Sequence, residues 1–131
     1  MYERLRMLSP DSAEVCVNLG RALAAYGDAG RAIDCFADAM QLNPEYSNAY
    51  FNAGDVLYKL GYYGKAAETY IAGLERQPDH PAGFFVLGNC YFRTQDYEAA
   101  ELCYRQALEQ DPNHEEARNN LELLLEMPRA A

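Results

Sequence analysis

The sequence predicts an all-α solenoid of stacked antiparallel helix hairpins, and three observations carry that expectation. Four prolines, Pro10, Pro44, Pro78 and Pro112, stand 34 residues apart. Gly20, Gly54 and Gly88 keep the same step, as do Ala32, Ala66 and Ala100. The aromatics Tyr2, Phe36, Tyr70 and Tyr104 complete the register. A small residue, an aromatic and a closing proline at fixed offsets mark units that bury their apolar faces by stacking on one another. Composition agrees. Ala, Leu, Glu, Gln and Arg are plentiful, whereas threonine occurs only at Thr69 and Thr94, which favours helix over strand.

Residues 1–12 come first, as the partial helix of a truncated repeat. Tyr2, Leu5 and Pro10 match the closing half of a second helix whose partner is missing. A short N-terminal cap and an excision from a longer array both account for this, and in either case an unpartnered apolar edge there supports dimerisation. The unit 13–46 follows, with helices expected over 13–26 and 29–42, a turn at Gly27-Asp28, and Asp11 with Glu14 as a capping box. The unit 47–80 repeats the plan over 47–60 and 63–76, with its turn at Gly61-Tyr62. The unit 81–114 places Pro81 at a first helical position, where no N–H is needed, and predicts helices over 81–94 and 97–110 around Gln95-Asp96. Each closing proline ends its helix by removing a donor and restricting the residue before it. Residues 115–131 begin as a fourth leading helix, with Asn113 and Glu116 as a capping box, and stop at Pro128. Glu115, Glu116, Glu122 and Glu126 are expected to wet one side of this capping helix.

These residues resemble the tetratricopeptide repeat family. Cys16, Gly20, Leu23, Ala32, Phe36, Ala39 and Pro44 fall where that family sets its bulky, small, large, alanine, aromatic, small and proline residues. Tyr50, Gly54, Leu57, Ala66, Tyr70, Gly73 and Pro78 do so in the second unit, and Phe84, Gly88, Tyr91, Ala100, Tyr104, Ala107 and Pro112 in the third. The small residues let paired helices approach closely, and the large ones fill the gaps between units. Two residues depart from the pattern. Cys16 is smaller than the usual aromatic, so the first unit is expected to pack less fully. Gly73, inside a helix, should cost about 1 kcal/mol against alanine unless a neighbour needs the space.

The resemblance implies a right-handed superhelix whose leading helices line a concave groove. Its positions carry Val17, Phe51 and Phe85; Ala24, Tyr58 and Phe92; Arg21, Asp55 and Asn89; and Lys59 and Arg93. Large exposed aromatics mark binding patches, so Phe51 with Phe85, and Tyr58 with Phe92, are expected to flank a ligand's apolar side chains. Ordinary packing between units is the alternative. Asn18, Asn52 and Asn120 share one position, broken by Val86, and resemble the asparagine ladder of protein O-GlcNAc transferases. A primary amide offers both a donor and an acceptor, so it reads a peptide backbone without regard to side chains. Arg21, Lys59 and Arg93 place cations in the groove while Asp34, Asp38, Glu68 and Glu109 sit on second helices. That split would attract a ligand with acidic residues beside its apolar anchors, a chance spread of charge being the alternative.

Other classes fit poorly. The 131 residues suit one domain, and the net charge of −9 argues against phosphate-dominated nucleic-acid binding and against an anionic membrane surface. No apolar run approaches the roughly 20 residues of a membrane span, and residues 1–10 lack the apolar core of a secretory signal. Cys16, Cys35, Cys90 and Cys103 contain no CxxC pair and read as core fillers of a reduced, cytoplasmic protein. His80 and His114 occupy equivalent places in adjacent units. Stacked helices lie about 8–10 Å apart, too far for two imidazoles that must each approach a zinc ion to about 2 Å. No metal or cofactor is therefore expected. Without a phosphate loop, an HExxH motif or a histidine near a nucleophile, the chain is not expected to be an enzyme. The carboxylate clamp of heat-shock co-chaperones is matched only at Asn52; Val17, Arg21, Ala82 and Val86 break it, so tight binding of an EEVD-type tail is not expected. The expected role is a non-catalytic protein–protein interaction module (adaptor, scaffold or chaperone) that takes an extended peptide or short helix in its groove. A self-assembling structural module, dimerising through the N-terminal edge or the groove, and a substrate-presenting part of a larger protein are the alternatives.

Overall fold

The computed structural model describes residues 12–128. The N-terminal partial helix expected over 1–12, its dimerising edge and the Asp11 cap therefore lie outside the described residues, apart from Ser12. Seven helices follow in order: α1 Ala13–Ala25, α2 Ala29–Leu42, α3 Ser47–Lys59, α4 Tyr63–Arg76, α5 Pro81–Arg93, α6 Tyr97–Gln110 and α7 Glu115–Glu126. The second helix of each pair spans its expected residues, while each leading helix stops one residue early. The cause is local. Gly27 and Gly61 adopt φ +89°, and Gln95 adopts φ +65° in the matching third turn. The left-handed backbone breaks the hydrogen-bond ladder there, and only glycine enters it without a Cβ penalty. Gln95→Gly is expected to stabilise the protein by about 0.5–1 kcal/mol, read as a higher urea midpoint at unchanged slope.

Helix starts are capped more variously than the sequence suggests. Ser12 Oγ accepts the Val15 N–H at 3.1 Å, and Asp28 and Asp96 accept the Arg31 and Ala99 N–H groups at 3.3 Å. The cap of α7 falls on His114, whose Nδ1 accepts the Ala117 N–H at 3.2 Å, and not on Asn113. The side chain of Asp111 has already taken the Asn113 N–H, at 3.1 Å, which sets the turn one residue later.

Packing follows the 34-residue beat. Each apolar cluster joins one helix pair to the leading helix of the next: Ala32, Phe36 and Ala39 with Ala49, Ala53 and Val56; then Ala66, Tyr70 and Leu74 with Leu87 and Cys90; then Ala100 and Tyr104 with Leu121 and Leu124. Gly20 shows why the small column is needed, since a Cβ there would fall 2.5 Å from the Phe36 ring. Side chains also tie the pairs together through the carbonyls of the closing prolines. Pro44 O accepts from Tyr50 Oη at 3.0 Å and Arg76 Nε at 2.5 Å. Pro78 O accepts from Gln110 Nε2 at 2.8 Å, while Gln110 Oε1 accepts the His80 N–H at 3.0 Å. Arg118 donates to Pro112 O at the last seam. On α7, Glu115, Glu116, Glu122 and Glu126 are all exposed.

Candidate ligand groove

The leading helices bring five of the expected groove residues into one cleft. Tyr58 of α3, Asn89, Phe92 and Arg93 of α5, Tyr104 of α6, and Asn120 and Leu123 of α7 line a hollow of about 320 Å³. Its walls are built by repetition. Tyr58 packs edge-on against Tyr63 with centroids 5.1 Å apart, and Phe92 does the same against Tyr97 at 5.6 Å. Arg93 is exposed and lies 5.6 Å over the Tyr63 ring. The Tyr58 hydroxyl beside it holds the guanidinium pKa above its ordinary value. Leu123 is 61% exposed, an apolar side chain facing the hollow.

The polar floor is a hydrogen-bonded chain. Tyr104 Oη donates to Asn89 Oδ1 at 2.6 Å, and Asn120 Nδ2 donates to the same oxygen at 3.0 Å. Burial pushes the Tyr104 phenol up to about 12, so it remains a donor at neutral pH. In the second pair the Tyr70 hydroxyl likewise donates to Asp55 Oδ1. Burial, and then Asp55, raise the Tyr70 pKa.

The remaining groove expectations divide. Asn18, Arg21 and Lys59 are exposed on their helices. Asn52 is half-buried, and its Nδ2 donates to Asn48 O at 2.7 Å, so the ladder is interrupted there as well as at Val86. Val17 and Phe51 are corrections: both are core, at 3% and 6% exposed. Phe51 turns inward because two glycines make room, for a Cβ on Gly73 would meet its ring at 2.6 Å and one on Gly83 at 3.3 Å. His80 closes over the ring edge-on at 4.2 Å, and burial lowers the His80 pKa. The expected pairing of Phe51 with Phe85 across an open pocket is thereby removed. Phe85 has Ala107 and Ala117 in place of those glycines and stays half-buried, against Tyr104 at 6.1 Å and His114 at 4.9 Å. The repeat pattern assigns Tyr104 to the aromatics that fill gaps between units and gives no sign of Leu123. A polar residue 15 positions before the core tyrosine, at Asn89 and Asp55, was the available signal.

Among the described residues, no three His, Cys, Asp or Glu side chains gather to hold a metal ion. The four cysteines are buried thiols, and burial raises the pKa of Cys90 to about 12 and of Cys103 to about 11, which keeps those two protonated at neutral pH. No helix among the described residues is long and apolar enough to cross a membrane.

Stacked helix pairs with an open inner wall define a helical-repeat solenoid. The tetratricopeptide repeat family model matches residues 17–70 and 51–115, and the chain belongs to that family. The first repeat domain of Spaghetti (RPAP3), solved with the HSP90 peptide SRMEEVD, is 24% identical at a TM-score of 0.83, over 86% of this chain and 90% of that one. YrrB, described as having an unusual peptide-binding site, is 21% identical at 0.85, over 95% of this chain and 64% of that one. MamA from Desulfovibrio magneticus RS-1 is 24% identical at 0.84, over 94% and 70%. At these identities the likeness is one of fold. No curated protein sequence matches the chain.

Proposed function

We propose that this chain is a non-catalytic protein-interaction module, an adaptor, scaffold or chaperone of a reducing cytoplasm, that holds an extended peptide in the cleft between α3, α5 and α7. In this reading the chain comprises the units 13–46, 47–80 and 81–114 with a capping helix after them. The observation that carries the proposal is the meeting of an amide pair, Asn89 and Asn120, with the apolar surfaces of Tyr58, Phe92 and Leu123 in one hollow. The amides suit a ligand main chain, the apolar surfaces one anchoring side chain, and Arg93 an acidic neighbour. A hollow of about 320 Å³ suits an extended strand better than a helix, whose diameter with side chains is about 10–12 Å. Peptide binding by the RPAP3 domain and the site described for YrrB agree with the class of ligand. An EEVD-type tail is not proposed, since Val17, Arg21, Ala82 and Val86 replace the clamp residues.

A peptide array tests this. Peptides that combine Phe or Leu with Asp or Glu are expected to bind, and to weaken as salt is raised. Phe92→Ala should lower the affinity of the best peptide at least tenfold, the loss expected of a central aromatic anchor. Phe92→Ala and Arg93→Ala variants that bind the same peptides unchanged would place the ligand elsewhere.

A further inference from the structure

We propose that Tyr104, a core residue, positions the Asn89 amide so that the cleft reads a ligand main chain in one direction only. This rests on the peptide-binding reading above and adds a rule for how the peptide lies. Asn89 Oδ1 receives two donors, the Tyr104 hydroxyl at 2.6 Å and Asn120 Nδ2 at 3.0 Å. An amide oxygen has two lone pairs, so both are spent. Asn89 is then left to show its Nδ2–H donor to the cleft, and Asn120 its Oδ1 acceptor. With Asn89 turned over, its Nδ2–H would face the phenol oxygen and the phenol proton would lose the acceptor it has now, so the hydroxyl favours the observed orientation; without it either amide could rotate by half a turn and exchange these roles.

The three helix pairs support a specific coupling between the core aromatic and the groove residue 15 positions before it. Tyr104 faces Asn89 and Tyr70 faces Asp55, each hydroxyl donating to a side-chain oxygen. In the first pair the groove residue is Arg21, which has donors alone, and the aromatic is Phe36, which has no hydroxyl. A phenol is kept where it has an acceptor to hold.

The direction follows from strand geometry. One residue of an extended chain presents its N–H and C=O on the same side, as paired residues of an antiparallel sheet do. Its N–H meets Asn120 on α7 and its C=O meets Asn89 on α5. The ligand therefore runs from the α7 end towards α3, opposite to the order of the helices, and its following residues reach Tyr58 and Arg93.

Tyr104→Phe is the test, because Phe36 shows that the same site folds without the hydroxyl. The probe is the best acidic–apolar hexapeptide from the array, spin-labelled at either end. With the wild type, the N-terminal label should broaden NMR signals of α7 and the C-terminal label those of α3. With Tyr104→Phe, affinity should fall about fivefold, the worth of one hydrogen bond, and each label should broaden both helices. Asn89→Asp, which keeps an acceptor for Tyr104 but loses the N–H, should weaken binding equally while leaving the fold intact. Unchanged affinity and label pattern in Tyr104→Phe would overturn the proposal. The Asn89 side-chain amide gives a readout without ligand: its order parameter should drop from about 0.85 to below about 0.6 in Tyr104→Phe. If no hexapeptide binds the wild type, the groove reading fails, and an amide equally rigid in both proteins then refutes the positioning role as well.

Discussion

Phe36→Ala is expected to remove about 3–5 kcal/mol of stability, a large share of what a domain of this size possesses. The ring is 1% exposed and lies against the Gly20 backbone on one side, with Ala32, Ala39 and Ala49 in the same cluster. The alanine methyls cannot swing in to fill the space, and Val17 and Val56 are held at their own Cα positions, which leaves Leu23 and Met40 as the side chains able to relax towards it. Relaxation by these two closes only part of the cavity, and its lining loses contacts as well as the transfer free energy of the ring. Because each pair rests mainly on its neighbours, the loss should be felt first in α1 and α2. Hydrogen exchange should show amides of residues 13–42 opening while those of 63–126 remain protected. A loss under about 1.5 kcal/mol, or an even loss of protection along the chain, would mean that the first cluster collapses around the gap.

Gly73→Ala carries the second large effect, and its sign runs against helix propensity. Alanine in place of glycine inside α4 would gain about 1 kcal/mol in an isolated helix. Here the new Cβ would sit 2.6 Å from the Phe51 ring, which must leave its slot between α4 and α5. Exposing a buried phenylalanine costs about 1.5–3 kcal/mol, so the net expectation is a loss of about 0.5–2 kcal/mol. A double-mutant cycle checks the mechanism. Phe51→Ala should cost about 3–5 kcal/mol in the wild type and under about 1.5 kcal/mol in the Gly73→Ala background, where the ring is already displaced. Equal costs in the two backgrounds would show that Phe51 does not depend on the glycine.

The same pair of residues shows how far the sequence can be read. Fold class and helix positions were legible because the small, aromatic and proline columns repeat three times and each states the same constraint. Gly73 was visible as an anomaly, and its cause is the ring of Phe51. What could not be read was the depth of a side chain. Val17, Phe51 and Phe85 hold equivalent places, yet the first two are buried and the third is half-buried. The decision lies with residues on other helices, Gly73 and Gly83 for one ring and Ala107 and Ala117 for the other, so helical spacing within a single element cannot supply it. Tyr104 was hidden for a related reason. A helical wheel assigns each residue to one face, whereas a tyrosine is long enough to pack its ring inside and deliver its hydroxyl to the opposite wall. The caps at Ser12 and His114 illustrate a smaller limit, since competing side chains one residue apart are separated only by turn geometry.

Pro44, Pro78 and Pro112 each leave a carbonyl that the following helices claim with a long side chain, and the mechanical consequence concerns the seam where the end of α6 meets the segment before α5. Gln110 there grips both Pro78 O and the His80 N–H, as a neighbouring strand would. Such clasps brace the joints between helix pairs beside the apolar clusters that stack them. A force that draws the end of α6 away from the segment before α5 would have to stretch the Gln110 clasp.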